Sequence, residues 1–239
     1  MSARGHVRER IATEAARLMY EESVKEYFTA KRMAAKRVLG RVQAKRIRYR
    51  PEDLPSNGEI RDALLALAES REGPGRTERL FDMRVQALEA MDALMPFHPR
   101  LIGSVSTGHI RRGSDIDLSL FCDSEETVER HLLALGWPFE AEHVRIQKFG
   151  EIRNYLHYHV TSDGDEAHAL LELTLYPARE LRFRPRSSTD GKPIVRLTRD
   201  ALSRLLLADH APRWEEYRRR RTQAPLDRTL PAPQGRVPV

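Results

Sequence analysis

The chain has 239 residues, of which 40% are hydrophobic and 32% charged, with one cysteine and a formal net charge of +6. This length allows one substantial domain or two small ones. A single cysteine, Cys122, excludes an intramolecular disulfide, and no apolar run approaches the ~20 residues that cross a bilayer. Because the N-terminus also lacks a signal-peptide core, we expect a cytoplasmic protein with no membrane partner.

The basic residues are concentrated toward the two ends of the sequence. Residues 1–50 carry a net charge of +9 and residues 211–239 a net charge of +4, whereas residues 51–210 carry −7. Clustered Lys and Arg favour a polyanionic partner such as RNA, DNA or nucleotide phosphates. The alternative is an ordinary solvated charged surface.

The first 95 residues show the three- and four-residue apolar spacing of amphipathic helices. Gly40 is a helix-end signal, and a basic and then Pro-rich stretch, 41–58, predicts a loop. Ser56 and Glu59 form a capping-box pattern before the next apolar run. The predicted helices are 8–39, either one bent helix or two consecutive ones, 56–68 and 77–95.

From Arg100 onward the pattern changes to short apolar runs bounded by Gly, Pro and Asp. The predicted strands are 100–104, 115–122, 143–149, 152–161 and 168–176, with a helix over 125–135 between the second and the third. The sequence SDGD at 162–165 predicts a hairpin turn, so the last two strands should be antiparallel neighbours. Thr198 can cap a final helix that runs to Leu207.

These elements predict an α+β fold, with a small mixed β-sheet, flanking helices and a preceding helical N-terminal region. We expect three segments along the chain. They are a basic helical region over 1–75, a sheet-containing domain over 76–210, and a basic Pro-rich flexible tail over 211–239.

Two aspartates, Asp115 and Asp117, lie two residues apart in the apolar run of the second predicted strand. Side chains at this spacing project from the same face of a strand. Ionised carboxylates so close together repel one another, and divalent cations with oxygen ligands are the common way to offset that repulsion. By itself the pair also fits exposed strand residues or turn formers.

A Gly-Ser pair, Gly103 and Ser104, directly follows the first predicted strand, and Gly108 comes one turn later. A glycine lets a phosphate approach the backbone, and a serine hydroxyl can bind a phosphate oxygen. The sequence therefore predicts a phosphate site beside the aspartate pair.

Gly103-Ser104, ten further residues and then Asp115-Ile116-Asp117 in an apolar strand resemble the signature of the nucleotidyltransferase superfamily that includes DNA polymerase β. The similarity is greatest to its small bacterial members, and it covers about residues 80 to 177. It implies a polymerase β-like nucleotidyltransferase fold for the 76–210 domain. It also implies transfer of a nucleoside monophosphate from an NTP, with ATP the expected nucleotide, to a hydroxyl on RNA, a protein or a small molecule.

The same resemblance implies a third acid on a later, neighbouring strand, and Glu172 occupies that place where many members have aspartate. The three acids would bind Mg²⁺ or Mn²⁺. Gly103 and Ser104 would bind the β- and γ-phosphates, with Arg111 or Arg112 assisting. Glu172 could instead be an exposed residue or an ion-pair partner, and the two arginines could be solvated loop residues. RNA would be bound through the basic N-terminal helices.

Three other interpretations are open on the sequence. His157 and His159 share a strand face with zinc- or nickel-compatible spacing, but no Cys or third His lies at a standard distance, so a polar strand face is the preferred interpretation. A non-catalytic, antitoxin-like module that binds nucleic acid or protein is the main alternative to an enzyme. A dehalogenase-type phosphatase would use the DIDLS sequence as its nucleophile motif, but its other motifs are not apparent.

Overall fold

The computed structural model describes residues 3–22, 24, 26–46, 54–148, 151–160, 169–184, 186 and 193–223. These residues belong to two compact units. The first lies within Met1–Arg79, His109–Gly113 and Arg184–Ile194, and the second within Leu80–Gly108, Ser114–Phe183 and Val195–Val239. Within the described ranges, no helix combines the length and the apolar content needed to cross a bilayer. The predicted segment boundary at residue 75 stays a prediction.

Three helices build the first unit, and their apolar faces meet in one core. They are α1 (Ala3–Glu21), α2 (Tyr27–Arg46) and α3 (Asn57–Glu72). Fully buried core residues come from each of them, for example Ile11, Ala34 and Ile60. Of the two alternatives predicted for residues 8–39, one bent helix or two consecutive helices, the structure has two helices.

The start of α3 is fixed by its local sequence. The Glu59 N–H donates to Ser56 Oγ at 3.1 Å, and the Ser56 N–H donates to Glu59 Oε2 at 2.7 Å. These two bonds satisfy backbone donors that a helix start otherwise leaves free, so the predicted capping box is confirmed. Arg8 adds a two-pronged contact to Glu59, with both N···O distances 2.7 Å.

Two predicted helix ends in the first unit were wrong. At Gly40 the backbone leaves helical geometry, with φ 74° and ψ 160°, but α2 resumes and continues to Arg46. The residues after Gly40 are good helix formers, so one break does not end the helix. The other helix, α3, runs beyond residue 68 and ends at Glu72. Gly73, which has a positive φ, is the residue that ends it, and the proline after Gly73 begins the next helix.

A five-stranded sheet organises the second unit. Its elements are the part of α4 (Pro74–Ala93) from Leu80 onward, a 3-10 turn (Met95–Phe97), β1 (Arg100–Ile102), α5 (Gly103–Thr107), β2 (Ile116–Phe121), α6 (Glu125–Ala134), β3 (Phe139–Lys148), β4 (Glu151–Val160), β5 (Leu171–Tyr176), a second 3-10 turn (Ala178–Arg182) and α7 (Arg199–Gln223). Every predicted strand is present with shifted ends.

The strand order of the sheet is β1-β2-β5-β4-β3. The central pair, β2 and β5, is parallel, and the other neighbours are antiparallel. The predicted mixed sheet and the antiparallel pairing of the last two strands are therefore confirmed, while the predicted turn at 162–165 lies outside the described residues. The predicted α+β architecture, a mixed sheet with flanking helices after a helical N-terminal region, is confirmed.

The last helix, α7, is longer than its sequence predicts. It continues past Leu207, through Pro212, to Gln223, so position 211 lies in a helix and not in a tail. The backbone bends at His210, with φ −139° and ψ 34°, two residues before the proline. Since the break comes first, Pro212 sits in the opening turn of the second half, where a proline costs little. Residues 224–239 of the predicted tail lie outside the described residues.

Candidate active site

The central parallel strand pair brings two of the three predicted acids side by side. In the register of β2 and β5, Asp117 pairs with Glu172. Directly paired residues on neighbouring strands project from the same face of a sheet, so both carboxylates lie on one face. Asp115 lies immediately before β2. All three side chains are neither fully buried nor fully exposed.

The Gly-Ser pair approaches Asp117 closely. Gly103 is the first residue of α5, has φ +71°, and follows Ile102, which pairs with Asp117 across β1 and β2. A Cβ at position 103 would lie 2.9 Å from Asp117 Cγ and still closer to Oδ2. Only glycine fits there, because both its backbone conformation and the space exclude a side chain. Ser104 follows in the same turn, half-buried.

The electrostatics at Asp117 disfavour a negative charge. Burial, then the neighbouring charges of Glu172 and Asp115, raise the pKa of Asp117 from 3.8 to about 7, while His157 acts in the opposite direction. A carboxyl surrounded by two others is a common arrangement at sites that bind a cation or move a proton. The sheet therefore carries a localised excess of negative charge.

His157 is a neighbour of this cluster that the sequence interpretation did not assign to it. Its Nδ1 lies 2.9 Å from Glu172 Oε1, and its Nε2 lies 3.4 Å from Thr174 Oγ1. The ring thus holds Glu172 from the adjacent strand β4, with Nδ1–H as the donor. His159, which pairs with Glu172 in register, is 4.0 Å from Glu142 instead. The predicted antiparallel pairing of the two strands was the signal that could have placed a histidine beside Glu172.

The donor set fits a divalent magnesium or manganese ion. Carboxylate oxygens are the ligands these hard cations prefer, and a cation would relieve the repulsion that raises the pKa of Asp117. In the part of the chain that the structure describes, however, no three His, Cys, Asp or Glu side chains are already arranged as a metal site. The residues therefore fit the ion by their ligand type and their charge, and Asp117 and Glu172 are the two that lie side by side.

The two arginines predicted to assist phosphate binding belong to the first unit. The Arg111 guanidinium donates to the backbone carbonyl of Met19, and the Arg112 N–H donates to Glu72 Oε1 at 3.0 Å. Both contacts are tertiary, so the local sequence did not indicate them. A phosphate role for either arginine stays a prediction.

No protein-family model matches the chain, and no curated protein matches it. Similar solved structures include Cid1 with the UTP analogue UMPNPP (17% identity, TM-score 0.29, 56% of this chain and 35% of that chain). Two others are Cid1 described for its RNA terminal uridylyl transferase activity (20%, 0.27, 42% and 31%) and a cytoplasmic RNA terminal U-transferase (17%, 0.23, 44% and 37%). The chain spans about a third of the length of these structures. Similarity at this level assigns this chain neither a substrate nor a partner.

Proposed function

We propose that this protein is a metal-dependent nucleotidyltransferase, which transfers a nucleoside monophosphate from an NTP to a hydroxyl acceptor and releases pyrophosphate. The observation that carries the proposal is the pairing of Asp117 with Glu172 on adjacent parallel strands, beside the Gly103 turn. Residues 76–210 would form the nucleotidyltransferase domain.

The three acids would share the work of holding cations. Asp115 and Asp117 would bind the ion that grips the triphosphate, and Glu172 would join them at a second ion near the acceptor. When bound, Mg²⁺ or Mn²⁺ would neutralise the phosphate oxygens and lower the pKa of the acceptor hydroxyl. His157 would keep the Glu172 carboxylate on the face that it shares with Asp117, through the 2.9 Å contact.

Gly103 and Ser104 would take the β- and γ-phosphates. The missing side chain at Gly103 leaves the backbone open next to Asp117, and the Ser104 hydroxyl follows in the same turn. Arg111 or Arg112 would assist as further cations. ATP is the nucleotide we propose, and RNA, a protein or a small molecule the acceptor.

The transfer itself is a single displacement. The acceptor oxygen forms a bond to the α-phosphorus, the bond from that phosphorus to the bridging pyrophosphate oxygen breaks, and the hydroxyl proton leaves to solvent. The chain would position the two reactants and supply the carboxylates that bind the cations. Positioning and electrostatic stabilisation account for most of the catalysis of such transfers.

The experiment is incubation of the purified protein with each α-labelled NTP, Mg²⁺ or Mn²⁺, and separate pools of cellular RNA and protein. We expect label to be retained by one pool with the wild type and to fall at least ~10²-fold with Asp117→Asn, the scale of losing one transition-state contact. Glu126→Gln is the matched control, because Glu126 is an exposed helix acid paired only with Arg130 among the described residues. Equal labelling by wild type and Asp117→Asn would rule out the proposal.

The assay also separates the enzyme from its main alternative, the non-catalytic antitoxin-like module. Such a module would transfer no label with any NTP, and its binding to nucleic acid or protein would survive loss of the acids. Clustered carboxylates beside a polyanion weaken binding, so a module of this kind gains nothing from the Asp117–Glu172 pair.

A further inference from the structure

The bend in α7 turns one helix into two sides of a cleft. Along a straight helix, Arg199 and Thr222 would be about 35 Å apart. Here both line the same cavity of about 470 Å³, because the backbone breaks at His210. The cavity volume is within the range of about 300–1,000 Å³ that is typical of ligand sites.

The bend is fixed by contacts to α4 within the second unit. Arg84, which is almost fully buried, donates to Asp209 Oδ2 at 2.7 Å and lies 3.3 Å from His210 Nε2. Its Nε also donates to the Val105 carbonyl at 3.3 Å. Phe81 packs edge-on against the His210 ring, with the centroids 5.4 Å apart. The shape of the cleft is therefore built into the fold.

The α7 cleft is strongly basic. Its lining includes four arginines, the exposed Leu207 and the ring of Tyr217, and no acidic residue in the described ranges lines it. The four arginines are Arg199, Arg204, Arg218 and Arg221. The lining of the cleft therefore has an excess of positive charge, which favours a bound anion.

Two of these arginines are already paired and two are not. Asp92 accepts from Arg199 at 2.8 Å and from Arg221 at 3.3 Å, so one carboxylate holds both in place. Arg204 and Arg218 are exposed and make no ion pair with any residue that the structure describes. These two cations remain available for an anionic ligand.

The apolar side of the cleft decides between kinds of anion. The ring of Tyr217 is stacked on Trp214, with centroids 5.4 Å apart and the planes 16° from parallel, and its hydroxyl donates to Glu89. A fixed aromatic ring and an exposed leucine beside cations suit the bases and phosphates of a single strand. An acidic peptide would use the arginines alone.

We propose that the α7 cleft binds a single-stranded RNA segment, with Arg204 and Arg218 contacting successive phosphates and Tyr217 and Leu207 contacting a base. The sequence predicted RNA binding by the N-terminal helices and, from charge alone, a polyanionic partner for residues 211–239, so a defined site in the α7 cleft is additional. Binding in the cleft needs neither a metal ion nor an NTP, and its outcome is therefore independent of transfer activity.

The test is fluorescence anisotropy of a labelled oligouridylate of about 15 nucleotides, measured between about 50 and 200 mM salt in EDTA. We expect Arg204→Ala with Arg218→Ala to weaken binding by at least ~10-fold, and to lower the slope of log affinity against log salt by about 1.4, which corresponds to two lost phosphate contacts on a single strand. Circular dichroism checks the fold of the double variant.

The matched control removes two arginines outside the cleft, Arg130 and Arg220, each of which pairs with a glutamate one helical turn away. The double variant Arg130→Ala with Arg220→Ala should keep its affinity within about twofold of wild type. Equal weakening by the two double variants would overturn the proposal, since only total charge would then matter. A polyglutamate peptide that binds as tightly as the RNA, or UMP that competes as well as the oligonucleotide, would overturn it too.

Discussion

Carboxylates in the helical first unit and in the sheet of the second unit experience opposite surroundings. The Arg8 guanidinium and the Ser56 cap lower the pKa of Glu59 to about 2, whereas burial and two like charges raise the pKa of Asp117 to about 7. Glu59 is ionised at no cost and stabilises its helix start. The negative charge of Asp117, by contrast, is disfavoured by burial and by the two neighbouring carboxylates.

The direction of the pKa shift separates acids whose ionised form stabilises the fold from acids whose ionised form destabilises it. Glu14 and Glu22 in the first unit also have lowered pKa values, because arginines donate hydrogen bonds to them. At Asp117, burial and the like charges of Glu172 and Asp115 outweigh the opposing effect of His157 on the pKa. Clusters of like charge with a strongly perturbed pKa are typical of sites that bind a cation or move a proton.

The largest expected effect comes from crowding Asp117. Gly103→Ala should lower transfer activity by at least ~10²-fold, because the new Cβ collides with the Asp117 carboxylate and moves it. Gly136→Ala is the control, since Gly136 has a similar φ, +69°, but nothing within 4 Å. Both variants place alanine at a similar positive φ. Equal activity in the two would therefore contradict the claim that a side chain at position 103 acts by displacing Asp117.

The next effect tests the histidine that holds Glu172. His157→Ala should weaken Mn²⁺ binding about 10- to 100-fold, the usual effect of losing a partner that orients a ligand, and electron paramagnetic resonance of free Mn²⁺ measures it. His159→Ala, two residues further along β4, should change the affinity little, because the described contact of His159 is with Glu142, at 4.0 Å. Similar losses in the two variants would assign the effect to the strand and not to the contact.

Asp117 should also reduce stability in a pH-dependent way. Its folded pKa, about 7, lies above the ordinary 3.8, so the folded state loses stability relative to the unfolded state as pH rises from about 4 to 7. In EDTA, Asp117→Asn should therefore gain stability over wild type as pH rises from ~4 to ~7, by about 4 kcal/mol for a pKa that is raised from 3.8 to about 7. Urea denaturation across this range checks the prediction, and a constant difference would contradict it.

The smallest effect has the opposite sign. Because the pKa of Glu59 is lowered to about 2, its contribution is present above the ordinary value of 4.5 and is lost as pH falls toward 2. Glu59→Gln should cost about 1 kcal/mol at neutral pH, allowing for solvent screening of this partly exposed pair, and nothing near pH ~2. Glu78→Gln, at an exposed position of α4 where no ion pair is seen among the described residues, is the control for thermal unfolding.

Much of this arrangement could be predicted because it depends on short-range patterns. The apolar pattern predicted the strand that carries Asp117, although Asp115 lies immediately before it, and the capping box predicted the start of α3. The adjacency of Glu172 and Asp117 followed only from the family resemblance, since a single sequence does not state which strands pair. At the position of the third acid, this sequence has Glu172 where many members of that family have aspartate.

What could not be predicted depends on tertiary contacts. The link between His157 and Glu172 requires the register of β4 on β5, and one residue of slippage would have placed the histidine on the other face. The contact of Arg111 with Met19 joins positions distant in sequence. The last helix was expected to end at Leu207, but α7 continues past the break at His210 and forms a cleft.

The central claim is that Asp117, which pairs with Glu172 and has a raised pKa, binds a divalent cation. Titration of Mn²⁺ into the protein with a non-hydrolysable NTP, followed by electron paramagnetic resonance, tests it without knowledge of the acceptor. We predict saturable binding by wild type that weakens at least ~10-fold in Asp117→Asn, while Glu126→Gln binds as wild type does. Equal Mn²⁺ affinity in wild type and Asp117→Asn would contradict the account.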